Sequence, residues 1–165
     1  MNPLWNAAQA VLALVQECLD GNCSDYGRIG VDTTAPVFDC SSITVVMGNA
    51  RAYSGSCVGR VQLRANLDIT LVRCCDPVGE LTGVGGYTPP PIADVEAAAA
   101  CLSRDAWMIY ECVTCQACST IGAVKGVEAC CDQFAGAPEI VWGSVSGGCR
   151  SVIVRIPLVF TTCCE

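Results

Sequence analysis

Three cysteines spaced by three residues, Cys112, Cys115 and Cys118, form the sharpest chemical motif of this chain of 165 residues. Thiolates at such spacings bind zinc or iron–sulfur clusters, and a fourth ligand could come from Cys130 or Cys131 after folding. The motif ends a strongly periodic helical pattern, however, where a spacing of three keeps side chains near one face for structural reasons alone. It also lacks the Cys-Pro that follows such a run in bacterial ferredoxins. We therefore expect these cysteines to be structural or disulfide-bonded, with no metal site.

The other cysteines lie mainly at the ends of predicted elements. Cys57 and Cys149 each open a long predicted strand, and the pairs Cys74-Cys75 and Cys163-Cys164 close the same strands; Cys18, Cys23 and Cys40 bracket the first connector. Such positions suit disulfide bonds that join neighbouring strands, helices or subunits. Because the total of 15 cysteines is odd, at least one thiol per chain must be free or must bond to another chain.

The residue types that most catalytic sites need are missing or scattered. The chain has no histidine, so a nucleophilic cysteine would lack its usual base. Asp and Glu occur mostly in predicted loops and on helix faces, which is typical of solvated surface and not of paired catalytic carboxylates. A thioredoxin-like pair would be expected at the start of a helix, whereas Cys112 and Cys115 lie at the end of one. We expect no enzymatic activity, no catalytic residue and no cofactor.

Composition predicts one globular domain spanning residues 1–165. Hydrophobic residues make up 52% of the chain, which is enough for a sizeable core. The net charge of −7 argues against direct recognition of nucleic acid. No apolar run approaches the ~18–20 residues of a membrane span, and the N-terminus lacks the basic region of a signal peptide. These features predict a protein made and folded in the cytoplasm, without a membrane partner.

The spacing of apolar residues predicts two main helices, one near the N-terminus and one that begins near Ile92. The inward positions of the first are Leu4, Ala8, Val11, Val15 and Cys18; those of the second are Ile92, Val95, Ala99, Leu102, Ala106, Ile109 and Val113, with Asp94, Arg104 and Asp105 on its polar side. We expect the second helix to fray between residues 115 and 122. A short helical piece is expected to follow around residues 124–134.

Alternation with a period of two predicts two antiparallel hairpins. The first joins residues 43–53 to a long strand, Arg60–Arg73, in which alternate residues are apolar. The second joins residues 139–146 to residues 150–162 across a Gly-Gly turn. Pro157 lacks an N–H group, so we expect it at a sheet edge or a bulge.

Two segments carry the signals of irregular structure. Residues 21–36 are rich in Gly, Asp and Thr. Residues 76–91 are rich in Gly and Pro, which interrupt helices and strands, and are predicted to form a loop. The remaining elements follow the order helix, two strands, helix, short helix, two strands. This order predicts an α+β fold, in which an antiparallel β-sheet with long hairpin strands packs against two main helices.

The layout of these elements resembles the tail terminator, or tail-to-head joining, proteins of long-tailed bacteriophages. The segments that carry the resemblance are Pro36-Val37-Phe38-Asp39 before the first strand, the alternating strand Arg60–Arg73, Asp105-Ala106-Trp107-Met108 in the long helix, and Trp142-Gly143 ahead of Val152–Thr162. The resemblance covers nearly the whole chain and lies in its layout, not in a catalytic signature. The high cysteine content departs from the family and suggests covalent reinforcement of a virion.

The resemblance implies a structural virion protein of the phage neck, assembled in the host cytoplasm. Such proteins form a ring, here expected to be a hexamer, that caps the tail tube and joins the tail to the head connector. The expected partners are other copies of the chain, the tail tube protein and the connector or stopper protein. No contact with nucleic acid is expected beyond the passage of DNA through the ring.

We expect the 76–91 loop and the outer halves of the strands within residues 43–73 to contact neighbouring subunits or the tube. Two alternatives stay open at this stage. One is another neck component, such as a head-completion or stopper protein. The other, from a different class, is a small cysteine-ligated metal or redox protein.

Overall fold

The computed structural model describes residues 3–19, 26–31, 42–54, 60–73, 79–82, 85–130, 135–143 and 150–163. Their elements, in chain order, are α1 (Pro3–Cys18), β1 (Tyr26–Val31), β2 (Ser42–Met47), β3 (Arg51–Ser54), β4 (Arg60–Arg73), β5 (Glu80–Thr82), β6 (Gly86–Thr88), α2 (Ile92–Cys112), a π-helical turn (Val113–Ala117), α3 (Cys118–Gly122), β7 (Val127–Cys130), β8 (Glu139–Trp142) and β9 (Arg150–Cys163). A largely antiparallel sheet packs against helices, which confirms the predicted α+β fold class.

The sheet is built around one long ladder between β4 and β9. Each strand has 14 residues, and the antiparallel register runs from the pair Arg60 and Cys163 to the pair Arg73 and Arg150. β4 alternates apolar and polar residues for most of its length, which favours a strand with one buried face, whereas β9 is apolar nearly throughout its middle part. The long strand predicted from residues 60–73 is therefore confirmed.

Two shorter strands flank each long strand. β2 pairs with the C-terminal half of β4 and β3 with its N-terminal half, while β8 and β7 pair with successive parts of β9. Both predicted hairpin pairings are confirmed by these registers. β1 pairs in parallel with β2 at the sheet edge, so the expectation of irregular structure over residues 21–36 is wrong for Tyr26–Val31. β1 has two glycines and no apolar alternation, and its partner strand supplies the order that its own sequence does not encode.

The hydrophobic core lies between one face of this sheet and the helices α1 and α2. α1 packs on β2 and β1, and α2 packs on β9 and β8. The fully or almost fully buried core side chains include Ala8, Val11 and Val15 of α1, Leu67, Ile69 and Leu71 of β4, Leu102, Ala106 and Ile109 of α2, and Val152, Val154, Ile156 and Leu158 of β9. Burying each Leu, Ile or Val stabilises the fold by roughly 1.5–3 kcal/mol. The predicted inward faces of both helices are thus largely confirmed.

Two positions of α2 depart from the predicted helical faces. Asp105, expected on the polar side, is completely buried, because its carboxylate forms an ion pair with Arg73 of β4. Ile92, expected on the inward side, is the most exposed large apolar side chain among the described residues, because it occupies the first position of the helix.

The segment after α2 is more regular than predicted. Instead of fraying between residues 115 and 122, the chain continues through the π-helical turn into α3. The helical piece expected around residues 124–134 is also wrong, since Val127–Cys130 forms β7. α3 ends at Gly122, and Gly126, with a φ of 97°, takes a left-handed conformation in the turn that leads the chain into β7 beside β9.

The 76–91 loop is not wholly irregular, because its described part contains a small hairpin. β5 and β6 pair with each other as a separate two-stranded sheet. A Cβ atom at Gly79 would collide with the ring of Tyr87, so the close approach of the chain at this point requires glycine. The hairpin leaves Tyr87 exposed.

Pro157 lies within β9 and not at the outer edge of the sheet. Its partner on β4 is Asn66. On the other side of β9, β7 pairs with residues 158–160 and β8 with residues 152–155, and Pro157 falls in the gap between them. A residue without an N–H group is tolerated at a position where the ladder is interrupted.

Candidate functional site

The structure separates the three cysteines of the Cys112, Cys115 and Cys118 motif. Cys112 forms a disulfide with Cys18, with Cα atoms 6.3 Å apart, and this bond joins the C-terminal ends of α2 and α1. Cys115 carries a free thiol on the surface. Cys118 begins α3, and its side chain lies outside the described residues. Since a disulfide sulfur is not a thiolate, Cys112 in this state does not provide a metal ligand.

The π-helical turn explains why neighbouring members of the motif face different ways. A π-helical turn holds more residues than an α-helical turn, so it rotates Cys115 away from the face on which Cys112 lies. The hydroxyl of Thr114 donates to the carbonyl of Tyr110 at 2.7 Å, and Ser119 donates to Gln116 at 2.8 Å. These bonds satisfy carbonyl groups where the regular helical ladder changes. Cysteine spacing alone does not reveal this turn.

Other metal-binding or catalytic constellations are not evident in the described residues. Over the ranges that the structure describes, no three Cys, Asp or Glu side chains are grouped so as to hold a metal ion. The remaining described cysteine with a free thiol, Cys101, is half-buried in α2. The strongest chemical features are instead charged and aromatic groups on two surfaces.

A buried ion pair holds α2 against the end of β4. The Nε and Nη2 atoms of Arg73 donate to Oδ2 of Asp105 at 3.0 and 2.6 Å, and Arg104 approaches Oδ1 at 3.5 Å. The Asp105 side chain is 0% exposed and that of Arg73 only 11% exposed. A buried carboxylate is tolerated only when it is paired in this way. The pair therefore sets the position of α2, including the residues on its outward side.

The outward side of α2 carries an aromatic residue between two carboxylates. We call Glu96, Ala100, Trp107 and Glu111 the outward stripe; all four are exposed, and spacings of four, seven and four residues place them on one helix face. Trp107 is 56% exposed and stacks on Tyr110 with ring centroids 5.6 Å apart. The apolar pattern of the sequence points to the buried face of this helix and gives no signal for the stripe.

A second exposed tryptophan lies on the same side of the molecule. Trp142 of β8 is 57% exposed and lines a groove of about 390 Å³ with Ala99 and Ser103 of α2 and Arg150 of β9. Ser103 precedes Trp107 by four residues, so the groove adjoins the outward stripe. Exposed large aromatic side chains in such a setting are typical of contact surfaces.

The opposite face of the sheet holds an open concavity of about 400 Å³, which we call the sheet-face concavity. It forms where β2 gives way to β3, and the N–H of Gly48 donates to the carbonyl of Asn66 at 2.9 Å at that break. Its polar lining comprises Asn49, Arg51, Arg64, Asn66, Asp68 and Arg155. The concavity lies between the strands of residues 43–73 for which contacts are predicted.

Arg155 is neutralised within this concavity. Its Nε and Nη2 atoms donate to the two oxygens of Asp68, both at 2.8 Å, and its Nη1 atom donates to Glu139 at 2.9 Å. The hydrogen bond to Asp68 raises the pKa of the guanidinium above its already high ordinary value. Asp68 and Arg155 are cross-strand neighbours, so the forked pair also supports the β4–β9 register.

The other side of the concavity brings two arginines of neighbouring strands side by side. Arg51 of β3 and Arg64 of β4 are direct cross-strand partners, and both are exposed. Like charges placed opposite each other destabilise a strand pair. The concavity therefore gathers the guanidinium groups of Arg51, Arg64 and Arg155 around the carboxylate of Asp68.

No protein-family model matches this sequence, and no curated protein is significantly similar to it. In the part of the chain that the structure describes, no helix combines the length and the apolar character that crossing a bilayer requires. The functional conclusion consequently depends on the surfaces of the fold.

Proposed function

We propose that the protein is a structural virion subunit of the phage neck, which assembles into a ring, expected to be a hexamer, that caps the tail tube and joins the tail to the head connector. The layout of the elements supports the proposal, because a terminal helix, a long paired strand, a long helix and a final hairpin occur in the order that the resemblance requires. Its partners are other copies of the chain, the tail tube protein and the connector protein.

The observation that carries the proposal is the outward stripe of α2. Tryptophan is the residue most enriched at the energetic centre of protein interfaces, and Trp107 is more than half exposed in the isolated chain. Glu96 and Glu111 flank it with charges that would form the rim of such a contact. A subunit whose work is to bind other subunits needs a surface of this kind.

The alternative of a cysteine-ligated metal or redox protein lacks a comparable observation. It depends on Cys112 acting together with Cys115 and Cys118, whereas Cys112 is bonded to Cys18 across 94 residues of chain. This disulfide gives Cys112 the structural role that was predicted for it from the sequence.

Light scattering of the purified protein across a range of concentrations tests the proposal. The mass is expected to rise from that of one 17.2-kDa chain to a closed oligomer near six times that value. Trp107→Ser is expected to shift the association to concentrations about tenfold higher or more, because the centre of the contact is lost.

Trp5→Ser is the matched control, since Trp5 is also an exposed tryptophan but lies on α1, outside the stripe. Its association should equal that of the wild type. A wild-type protein that stays at 17.2 kDa up to the highest soluble concentration, with or without added tail tubes, would contradict the proposal.

Deleting residues 79–88 is expected to leave a folded chain with impaired assembly. The β5–β6 hairpin forms its own small sheet, so its loss should change the free energy of unfolding little. Exposed Tyr87 makes it a candidate contact with a neighbour or the tube. Urea unfolding checks the first expectation and light scattering the second; normal oligomers from the deleted chain would contradict a role for this segment.

A further inference from the structure

A short uncharged segment leads from the β5–β6 hairpin into α2. It comprises residues 86–91, with the sequence Gly-Tyr-Thr-Pro-Pro-Pro, and we call it the proline arm. Most of its side chains are exposed, including that of Tyr87 at 62%. Among the described strands, β5 and β6 pair only with each other, so the hairpin does not tie the arm to the main sheet. The arm is therefore presented to solvent at the start of α2.

The prolines give the arm a rigid, extended shape. Pro91 has a φ of −55° and a ψ of 136°, which are polyproline II values. Proline fixes its own φ, and each residue that precedes a proline is driven to the same extended region of backbone conformation. Thr88, Pro89 and Pro90 all precede a proline, so the polyproline II conformation extends back along the arm. Such a segment loses little conformational entropy on binding, and its carbonyl groups face solvent.

The groove beside Trp142 matches the chemistry of such a segment. Polyproline II segments bind in grooves lined by aromatic side chains, and an indole ring offers both a flat apolar face and an N–H donor. The groove of about 390 Å³ has Trp142 on one side and the small side chains of Ala99 and Ser103 on the other. Trp107 lies about one helical turn beyond Ser103. We call this surface, from Ala99 to Trp107 along α2 and across to Trp142, the tryptophan groove.

The dimensions of the arm and of the tryptophan groove agree. Three residues of polyproline II span about 9 Å, because each adds about 3.1 Å. The helix from Ala99 to Trp107 spans about 12 Å, because each of its eight steps adds about 1.5 Å. Three prolines therefore fit lengthwise between the two exposed tryptophans.

A second copy of this chain is the occupant that these features favour. The arm does not fill the groove of its own chain, since Pro91 is fixed at the start of α2 and the described lining of the groove contains no residue of the arm. Each copy has a net charge of −7, and Glu96 and Glu111 flank Trp107. An uncharged arm approaches this acidic surface without the repulsion that an acidic segment would meet.

We propose that the proline arm of one copy docks in the tryptophan groove of the next copy, with its proline rings packed against Trp142 and Trp107. This docking rests on the proposed ring function and specifies which surfaces join the subunits. Because the arm and the groove are different surfaces, each copy binds one neighbour through its arm and another through its groove. Such a head-to-tail contact propagates until the rotation between copies closes it into a ring.

Two variants, each defective in one surface, test the docking. Trp142→Ser removes the aromatic wall of the groove and leaves the arm intact. Pro89→Ala with Pro90→Ala removes two rings and the rigid shape of the arm and leaves the groove intact. Each alone is expected to shift association, measured by light scattering, to concentrations about tenfold higher or more. Trp142→Phe keeps an aromatic ring in the groove and should associate more tightly than Trp142→Ser.

An equimolar mixture of the two defective variants controls for folding and for the direction of the contact. The arm of Trp142→Ser is intact and binds the groove of the proline variant, whereas the two surfaces that are left over are both defective. At a concentration where neither variant associates alone, the mixture is expected to form particles of twice the 17.2-kDa chain mass and to grow no further. Urea unfolding checks that both variants remain folded.

The possible results separate the docking from the ring function. Weakened association of each variant, together with a mixture that stops at two chains, would support the docking. Wild-type association by either variant alone, a mixture that forms full-size oligomers, or a mixture that stays at single-chain mass up to the highest soluble concentration would overturn the docking while leaving the ring function in place. Failure of the wild-type protein to associate at all would overturn the ring function and the docking together.

Discussion

Removing the Cys18–Cys112 disulfide is expected to lower the free energy of unfolding by about 4 kcal/mol. The bond closes a loop between residues 94 positions apart, and restricting the unfolded chain over a loop of that length stabilises the native state by roughly 4–5 kcal/mol. It also fixes α1 to α2 at the end of both helices. Urea unfolding of Cys18→Ser and of the wild-type protein under non-reducing conditions measures the difference.

Cys115→Ser is the matched control for this prediction, because it removes an exposed thiol that forms no bond. Its free energy of unfolding should stay within about 0.5 kcal/mol of the wild type. Equal stability of Cys18→Ser and wild-type protein would show that the bond does not form or does not constrain the unfolded chain.

Breaking the buried ion pair is expected to lower the free energy of unfolding by a similar amount. Asp105→Leu leaves Arg73 without the carboxylate that accepts two of its hydrogen bonds in a nearly dry site, which should cost about 3–5 kcal/mol. The double variant Arg73→Met with Asp105→Leu should recover most of that loss, since no unpaired charge remains buried. Urea unfolding of the two single variants and the double variant gives the coupling energy.

Arg104→Met measures what the exposed neighbour of the buried pair contributes to stability. Arg104 approaches Asp105 only at 3.5 Å and is mostly exposed, so its removal should cost less than about 1 kcal/mol.

The result that would contradict the role of the ion pair concerns the double variant Arg73→Met with Asp105→Leu. If this variant is as unstable as Asp105→Leu alone, the ion pair is not what holds α2 on β4.

The long strands and the core-facing helix positions could be predicted because their patterns are local and repeated. β4 alternates apolar and polar residues for most of its length, and the inward residues of α1 and α2 follow a helical period. Each repeat adds independent support for the same face, so one exception such as Ile92 does not change the assignment.

The missed elements depend on partners that are distant in sequence. Tyr26–Val31 and Val127–Cys130 are short, and each becomes a strand because β2 or β9 offers a free edge. Asp105 lies on the boundary of the polar side of α2, and only Arg73 on another strand makes its burial favourable. These outcomes are set by tertiary contacts that local patterns do not encode.

The candidate surfaces were likewise only partly predictable. The outer halves of the strands within residues 43–73 were predicted as a contact surface, whereas the surface around Trp107 was not, and nothing local shows that Arg51 and Arg64 become cross-strand partners. The pairing of Cys18 with Cys112 also required the fold, since spacing allows many disulfide connectivities.

Negative-stain electron microscopy of the assembled protein tests the central claim most directly. The account predicts closed rings of uniform size with one central channel, seen end-on, in the wild-type protein. Trp107→Ser at the same protein concentration should show mainly particles of single-subunit size. Wild-type fields that contain only single subunits, or oligomers without a central channel, would contradict the account.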